Sequence, residues 1–358
     1  MNEHLLGSLG RRERLRVAVV RLLLKRGKRL APKSWRCGRE LDGQVLDGDA
    51  EWVFRVRERA GGAPMNLQTP ENARRADVIA KLVGGGGVEP MVEVRDLRIP
   101  TSAGTLPARL YVPHEECEPG AGLLYFHGGG FVLGSIETHD ASVRVLAKVS
   151  GTRVLSVDYR RSPEHPFPAP IEDGMEAYAW IQAHGKTVGF ESDRVAVGGD
   201  SVGGSLATVI CHLVKQQGGV MPCFQLLVYP ATDRIVERPS WTLFGEGLPL
   251  TRDLLNWFMQ HYVQGADSRD PRISPGHFEH FEGLPPAHLA IAGFDLLRDE
   301  GLAYAEKLKA AEVPVTVKLH SGMFHGFMQT TGIVPASGVA LQEIGLALRA
   351  GLHPSKVC

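Results

Sequence analysis

From about residue 91 onward, short apolar and β-branched runs alternate with stretches of helical periodicity. The runs predict eight strands, at 91–98, 106–112, 121–127, 153–159, 194–199, 224–229, 287–294 and 313–320. Between the later runs lie helical patterns, at 139–149, 171–184, 202–216 and 299–311. Strands that alternate with helices of this length form βαβ units, so the pattern predicts an α/β fold with a mostly parallel sheet flanked by helices. The first two strands follow each other closely and are expected to form an antiparallel edge.

One long segment, residues 234–275, breaks this alternation. It contains a further helical pattern at 253–262 and is too long for a plain loop. We predict that it is an insertion that covers one end of the sheet.

The first 90 residues do not show this alternation of strand and helix patterns. Residues 4–30 predict a basic helix with four apolar residues on one side, Val17, Val20, Leu23 and Leu24. The opposite side carries basic residues, namely Arg14, Arg21, Lys25 and Lys28. Residues 31–90 are polar and in part helix-compatible, and they end in glycines 84–87, which are typical of a hinge or linker.

Composition narrows the class of protein. The chain has 358 residues, 43% of them hydrophobic and 22% charged, and a formal net charge of zero. These values fit a globular enzyme with one large core, and no overall positive charge points to nucleic acid. Five scattered cysteines without a CxxC spacing imply neither a zinc site nor a disulfide framework. With no secretory signal and no run of about 18 apolar residues, we expect a cytoplasmic protein.

The charge is unevenly spread along the chain. Residues 1–40 contain 12 Lys or Arg and 3 Asp or Glu. One hypothesis is a peripheral membrane contact, in which residues 1–30 lie in an anionic lipid surface. The alternative is a helix that packs its apolar side on the rest of the protein. Arg16 and Leu22 interrupt the apolar stripe, which favours this second interpretation.

A chemical signal follows one of the predicted strands. Gly199-Asp200-Ser201-Val202-Gly203 stands between that strand and a helical pattern. A nucleophilic serine on a tight strand-to-helix turn needs small residues two positions to either side, and Gly199 and Gly203 supply them. The start of the next helix also favours developing negative charge. Alone, the motif fits equally well a glycine-rich turn that begins an ordinary helix.

A second signal, His127-Gly128-Gly129-Gly130, comes directly after another predicted strand. Consecutive glycines let N–H groups point into a common space, which suits the oxyanion of a tetrahedral intermediate, with the N–H of Val202 as a further donor. The alternatives are a surface loop or a nucleotide-binding loop, but no GxGxxG or Walker lysine accompanies it. Both motifs together, in this order, favour acyl transfer.

Two further residues complete a catalytic hypothesis. His325 follows the last predicted strand and is the candidate base, while His320 is a fallback inside that strand. Asp295 ends the strand at 287–294 and is the candidate acid. Asp299 and Glu300 compete with it, but acids at the start of a helix are favoured without any catalytic reason. The order serine, acid, histidine is that of α/β-hydrolases.

These motifs resemble the bacterial hormone-sensitive-lipase-like (GDXG) esterases over roughly residues 90–330. The matching blocks are Tyr125–Phe131, Asp158–Arg160, Pro163–Pro168, Gly199–Gly204, Leu227–Pro230, Asp295, Leu297–Gly301 and His325–Phe327. The sequence departs from the family where Leu296 replaces a proline, Arg161-Ser162 replaces Leu-Ala and Val202 replaces an alanine. The β-branched Val202 is expected to narrow the acyl pocket.

The resemblance implies an eight-stranded α/β-hydrolase sheet under a helical cap. It also implies oxyanion donors at the N–H groups of Gly129, Gly130 and Val202, and a monomer or homodimer. We therefore predict an N-terminal helical segment over 1–90 that contributes to the cap. An α/β-hydrolase domain over 91–358, with a cap insertion at about 234–275, is expected to follow it.

The expected function is that of a serine carboxylesterase for small-molecule, short- to medium-chain acyl esters. Ser201 is the nucleophile, His325 the base and Asp295 the residue that orients the base, so neither a metal nor an organic cofactor is expected. The alternatives are an amidase, lactonase or deacetylase with the same triad, or a non-catalytic ligand-binding member of the fold. Five apolar residues are expected to line the substrate cleft, with core packing as the alternative for each: Phe131, Phe244, Leu248, Trp257 and Phe327.

Overall fold

The computed structural model describes residues 3–7, 9–35, 37–114 and 120–353. Two of the five cysteines, Cys117 and Cys358, lie outside these ranges. The α-helices are α1 (Glu3–Gly7), α2 (Arg11–Gly27), α3 (Gly48–Ala60), α4 (Pro70–Gly84), α5 (Ile136–Ser150), α6 (Ala169–His184), α7 (Val202–Gln216), α8 (Pro239–Leu243), α9 (Arg252–Val263), α10 (Arg298–Ala310) and α11 (Pro335–Leu352). The strands are β1 (Glu40–Leu41), β2 (Gln44–Val45), β3 (Glu93–Thr101), β4 (Gly104–Val112), β5 (Gly120–Phe126), β6 (Arg153–Val157), β7 (Phe190–Asp200), β8 (Phe224–Val228), β9 (Ala287–Phe294) and β10 (Val315–Phe324).

Eight of the strands form one sheet, in the order β10-β9-β8-β7-β5-β6-β4-β3. Strand β4 runs antiparallel to both of its neighbours, and the other pairings within this sheet are parallel. Strands β1 and β2 form a separate antiparallel pair. Every residue of β5, β8 and β9 is buried, as expected where helices cover both faces of a parallel sheet. The predicted α/β fold with a mostly parallel sheet is confirmed, and so is the antiparallel edge.

The predicted insertion lies between β8 and β9 and contains α8 and α9. Its two ends meet, because the N–H of Gly276 donates to the carbonyl of Thr232 (2.7 Å). The buried carboxylate of Glu300 on α10 accepts hydrogen bonds from the N–H groups of Thr232 (2.7 Å) and Asp233 (3.2 Å). Burial raises the pKa of Glu300 to about 7. The insertion is thus fastened at its base to α10, the helix that follows β9.

The N-terminal segment reaches this insertion. Arg39 donates to the carbonyl of Gly247 (3.4 Å), and Arg298 at the start of α10 forms an ion pair with Asp42 (2.6 Å). Three of the glycines at 84–87 are closely packed, whereas Gly87 has open space around it. A Cβ on Gly84, for example, would lie 2.9 Å from the carbonyl oxygen of Gln329. Small residues are needed here for close packing.

The structure differs from the helix predicted over 4–30. Two helices, α1 and α2, occupy it. Val17 of α2 packs on α4, and Leu24 is buried in the main core. The prediction that Leu23 lies on the apolar side of the helix is wrong, since its side chain is 57% exposed. Arg21, predicted on the opposite side, donates to the carbonyl of Leu82 on α4 (2.9 Å). Lys28 pairs with Asp49 (2.7 Å), so it too is engaged with the protein.

Within the described residues, no helix combines the length and the apolar character that crossing a membrane requires.

Candidate active site

The turn from β7 into α7 carries Ser201. Its φ of +56° and ψ of −123° are strained for a residue with a side chain, and such strain is typical of a nucleophile turn. The N–H of Ser201 donates to the carbonyl of Val228 (2.9 Å), which holds the turn against β8. A Cβ on Gly199 or Gly203 would lie 2.2 or 2.0 Å from the carbonyl oxygen of Phe126. Glycine is therefore required on both sides of the serine, as the motif predicted.

The three candidate catalytic side chains form one hydrogen-bonded chain. Nε2 of His325 lies 2.9 Å from Oγ of Ser201, and its Nδ1 lies 2.7 Å from Oδ2 of Asp295. The other carboxylate oxygen of Asp295 accepts the N–H of Leu297 (2.9 Å), which fixes the orientation of the buried carboxylate. A carboxylate facing Nδ1 keeps the proton on that nitrogen, so Nε2 is free to accept the hydroxyl proton.

The alternative candidates for the base and the acid, His320 and Asp299, do not contact Ser201 or His325 through a hydrogen bond in the described part of the chain. His320, inside β10, faces Glu343 at 3.6 Å. Asp299 accepts the N–H of Ser240 (2.8 Å) and pairs with Arg298 (2.8 Å), so it anchors the start of α8.

The glycine loop, residues 128–134, follows β5 and turns back on itself. Gly129, Gly130 and Phe131 all have positive φ, at 122°, 63° and 61°. Among the described residues, none accepts a hydrogen bond from the N–H of Gly129 or Gly130. Val202 is the first residue of α7, where an N–H has no partner within the helix. Three backbone donors are thus free to hold an anionic oxygen.

Asp200, next to the serine, joins the glycine loop to the nucleophile turn. Its buried carboxylate accepts the N–H of Gly128 (2.9 Å) and the hydroxyl of Tyr125 (2.6 Å), and His139 lies 3.4 Å away. Burial alone would raise the pKa of Asp200, but the charge and hydrogen bond of His139, together with Tyr125, hold it well below its ordinary value. The carboxylate therefore stays ionised and fixes the loop.

His127 has a structural setting. Its ring is fully buried and stacks on Tyr159, with ring centroids 4.3 Å apart, and its Nδ1 contacts the carbonyl of Gly128 (2.8 Å). The hydroxyl of Tyr159 donates to the carbonyl of His127 (2.6 Å). Both contacts support the start of the glycine loop.

Comparison with known proteins agrees with this geometry. A sequence family described by its α/β-hydrolase fold matches residues 123–329, from β5 to just beyond His325. The chain belongs to the α/β-hydrolase fold family. The resemblance to hormone-sensitive-lipase-like esterases, drawn from the motifs, is thereby confirmed.

Relatives of this hydrolase are named as ester hydrolases. The carboxylic ester hydrolase LipN of Mycobacterium tuberculosis is 39% identical over 328 residues, which cover 88% of this chain and 85% of that protein. The ethyl acetate hydrolase of Pseudomonas putida is 38% identical over 293 residues, covering 80% of this chain and 92% of that protein. Among solved structures, an ester hydrolase from the metagenome of Lake Arreo superposes with a TM-score of 0.83 at 37% identity, covering 86% of this chain and 99% of that one.

The hydrolase accommodates its departures from the family motifs. Leu296 is fully buried, and the N–H of Leu297 still reaches Asp295. The guanidinium of Arg161 donates to the carbonyl of Gly134 at the end of the glycine loop, and the N–H of Ser162 donates to the carbonyl of Phe131 (2.8 Å). Arg161 thus adds a side-chain hydrogen bond to that loop, whereas the contact of Ser162 is made by its backbone and would also form with alanine.

The five predicted cleft residues have different surroundings. Phe131 stacks on Tyr262 of α9 with ring centroids 4.1 Å apart. Trp257 packs between its α9 neighbours Phe258 and His261, and Leu248 is half-buried against the core. Phe244 and Phe327 are fully buried, with the first next to Phe294 and the second against Tyr229. For these last two, core packing describes the observed environment.

Phe258 lies close to the site but was not among the cleft residues predicted from the sequence. A Cβ on Gly130 would lie 2.2 Å from the ring of Phe258, so this ring covers the backbone of the glycine loop. In the sequence, Phe258 is one of several apolar positions of a predicted helix. Nothing in that pattern distinguishes it from its neighbour Trp257.

Proposed function

We propose that this hydrolase cleaves short- to medium-chain carboxylic esters through an acyl-enzyme on Ser201. Ester hydrolysis as a reaction class rests on the relatives, which are named for it at 38% and 39% identity. The assignment to residues rests on one observation, the chain of hydrogen bonds from Ser201 through His325 to Asp295.

The geometry supports the following steps. Nε2 of His325 takes the hydroxyl proton while Oγ of Ser201 forms a bond to the ester carbonyl carbon. The resulting oxyanion accepts hydrogen bonds from the N–H groups of Gly129, Gly130 and Val202. The bond to the alcohol breaks and the alcohol leaves with the proton from His325. Water then adds to the acyl-enzyme by the same route and releases the acid.

A fluorophosphonate probe tests the assignment directly. One equivalent should attach to the wild-type protein, and mass spectrometry should find it on Ser201. The Ser201→Ala variant, folded to the same melting temperature, should take up none. Labelling of another residue, or no labelling at all, would contradict the proposal and favour a ligand-binding protein. An amidase, lactonase or deacetylase would be labelled too and is separated from an esterase by turnover of its own substrates.

Acyl-chain preference gives a further prediction. Val202 and Phe258 are both buried, and the ring of Phe258 lies over Gly130. We therefore expect the two side chains to limit the size of the acyl group. We expect the highest kcat/KM at about C4 to C8 in a series of p-nitrophenyl esters. Val202→Ala should move this optimum to longer chains.

Val209→Ala is the matched control, since it removes the same atoms from α7 about two helical turns from the serine. It should lower stability without moving the optimum. Highest activity of the wild-type protein on C16 esters or emulsified triglyceride would contradict the prediction.

A peripheral membrane contact remains a second proposal, and a specific observation favours it. The face of α2 that points away from α4 presents Leu15, Val19 and Leu22, which are 67%, 47% and 51% exposed. They lie one turn apart in a line. Exposed basic residues surround them: Arg11, Arg12, Arg16, Lys25 and Arg26. Each basic residue near an anionic lipid surface contributes about 1 kcal/mol at moderate salt.

We expect the protein to cosediment at low salt with vesicles containing phosphatidylglycerol, and to be released as salt is raised. Leu15→Ser with Leu22→Ser should abolish this binding. Leu346→Ser on α11, where the leucine is 54% exposed, is the matched control and should bind normally. Wild-type protein that ignores these vesicles contradicts the proposal. Conversion of a dimer to a monomer by the double variant would assign the face to a second copy instead.

A further inference from the structure

The outer half of the glycine loop is held by a residue of the N-terminal segment. Arg74 lies on α4, outside the family's matching motifs, and its side chain reaches across to the loop. Its Nε donates to the carbonyl of Val132 (2.8 Å), and its Nη2 donates to the carbonyl of Ser162 (2.8 Å). The same guanidinium forms a two-pronged ion pair with Glu164, at 2.8 and 2.6 Å.

The two carbonyls that Arg74 binds belong to segments already joined to each other. The N–H of Ser162 donates to the carbonyl of Phe131 (2.8 Å), and the N–H of Val132 donates back to the carbonyl of Gly129 (3.1 Å). Arg74 therefore closes a network around the peptides that carry the free N–H groups. A planar guanidinium presents its donors in a fixed fork that matches the two carbonyls, whereas an ammonium group on a flexible stem is not pre-organised to do so.

The glycine loop needs such support. Phe131 has a side chain and a φ of +61°, a conformation that persists only where the surroundings impose it. The inner end of the glycine loop is fixed by Asp200, which accepts the N–H of Gly128. Its outer end is fixed by Arg74 and by Arg161, whose guanidinium donates to the carbonyl of Gly134.

We infer that Arg74 is a positioning residue, which holds the Gly129 and Gly130 N–H groups in the direction that the oxyanion requires. The inference rests on the proposed function. Removing one oxyanion donor outright costs about 10²- to 10³-fold in kcat in other serine hydrolases. Loosening the loop should cost less, about 10- to 50-fold in kcat, with KM nearly unchanged because the donors act on the transition state.

A purely stabilising role is the competing interpretation. The Arg74 side chain is 25% exposed and that of Glu164 is 54% exposed, and exposed ion pairs add little to stability. Glu164 nevertheless stays ionised, since its hydrogen bonds to Arg74 lower its pKa to about 2. The carboxylate neutralises the guanidinium at one edge, while the hydrogen bonds to the two carbonyls are made at the other edge and do not require the charge of Glu164.

The next residue on α4 provides a matched control. Arg75 also forms a two-pronged pair, through its Nε (3.0 Å) and Nη2 (2.7 Å) with the carboxylate of Glu13. Among the described residues, it makes no hydrogen bond to the glycine loop or to Ser162. Arg74→Met and Arg75→Met remove the same atoms from adjacent positions. Arg74→Lys retains the charge but loses the fixed planar fork of donors, and Glu164→Gln retains the shape of the partner.

The experiment measures kcat and KM on a short p-nitrophenyl ester, the melting temperature, and inhibition by an alkyl boronic acid. Arg74→Met should lower kcat about 10- to 50-fold and leave KM within about twofold of the wild-type value. Binding of the boronic acid inhibitor should weaken by a factor similar to the loss in kcat. Arg74→Lys should recover part of the loss, whereas Arg75→Met and Glu164→Gln should match the wild-type protein.

A folded Arg74→Met variant with wild-type kcat overturns the inference. So does a loss of kcat that Glu164→Gln reproduces, because the ion pair and not the carbonyl contacts would then be responsible. If Arg74→Met does not fold, the comparison of Arg74→Lys with the wild-type protein decides in the same way. Failure of the proposed function looks different, because the wild-type protein would then be neither active nor labelled at Ser201.

Discussion

Replacing Ser201 by alanine is expected to lower kcat by about 10⁴- to 10⁶-fold, and replacing His325 by alanine should have a similar effect. The hydroxyl and Nε2 are 2.9 Å apart, so proton removal and attack on the ester belong to one step. Without the base the hydroxyl is a weak nucleophile, and without the hydroxyl the base has nothing to activate.

Because the two groups act together, their losses should not add. The double variant should be little slower than either single variant, as shown by a kinetic cycle on one p-nitrophenyl ester. Residual turnover above the rate in water would come from the free backbone N–H groups and from substrate binding.

His320 supplies the control for this experiment. It is a buried histidine in β10, five positions before His325, and it faces Glu343 instead of the serine. His320→Gln should keep nearly normal kcat, with at most a lower melting temperature. Near-normal activity in Ser201→Ala or His325→Ala would refute the assignment of the triad.

The sequence predicts this centre well because local rules determine it. A Cβ on Gly199 or Gly203 would lie 2.2 Å or less from a neighbouring carbonyl oxygen, and this requirement for glycine appears in the sequence as the glycines around Ser201. Interior strands such as β5 are buried along their whole length, and that burial appears as an unbroken apolar run. Each of these signals is contained within a few consecutive residues.

Features that depend on which elements meet were not predictable in this way. Leu23 and Leu24 of α2 were both predicted on the apolar side, yet Leu24 is buried and Leu23 is 57% exposed. Arg74 and Arg75 are adjacent arginines, and only the first reaches Val132. Phe258 gains its importance from the backbone of Gly130, more than 100 positions away in the sequence. A sequence pattern gives the face of an element but not the neighbour that covers it.

Replacing Asp295 by asparagine is expected to lower kcat by about 10⁴-fold while leaving the fold intact. The reason lies in both oxygens of the carboxylate. One accepts the N–H of Leu297 (2.9 Å), and the other accepts the proton on Nδ1 of His325 (2.7 Å). An asparagine has only one oxygen to offer to these two donors.

The backbone N–H of Leu297 cannot change its role, whereas the imidazole can move its proton to the other nitrogen. The asparagine oxygen should therefore stay with Leu297, and its NH₂ group should face Nδ1. Nδ1 must then accept, so the proton moves to Nε2, which can no longer remove a proton from Ser201. The enzyme would retain its substrate affinity and lose its base.

Asp299→Asn is the matched control for this change. Its carboxylate accepts the N–H of Ser240 and pairs with Arg298, and an amide oxygen can still accept the first of these contacts. We expect a small loss of stability and nearly normal kcat. Measured together on one ester, the two variants separate a carboxylate that selects the tautomer of His325 from one that anchors α8. If Asp299→Asn were the inactive variant and Asp295→Asn the active one, the orienting acid would have to be reassigned, because only the residue bonded to Nδ1 can hold the proton there.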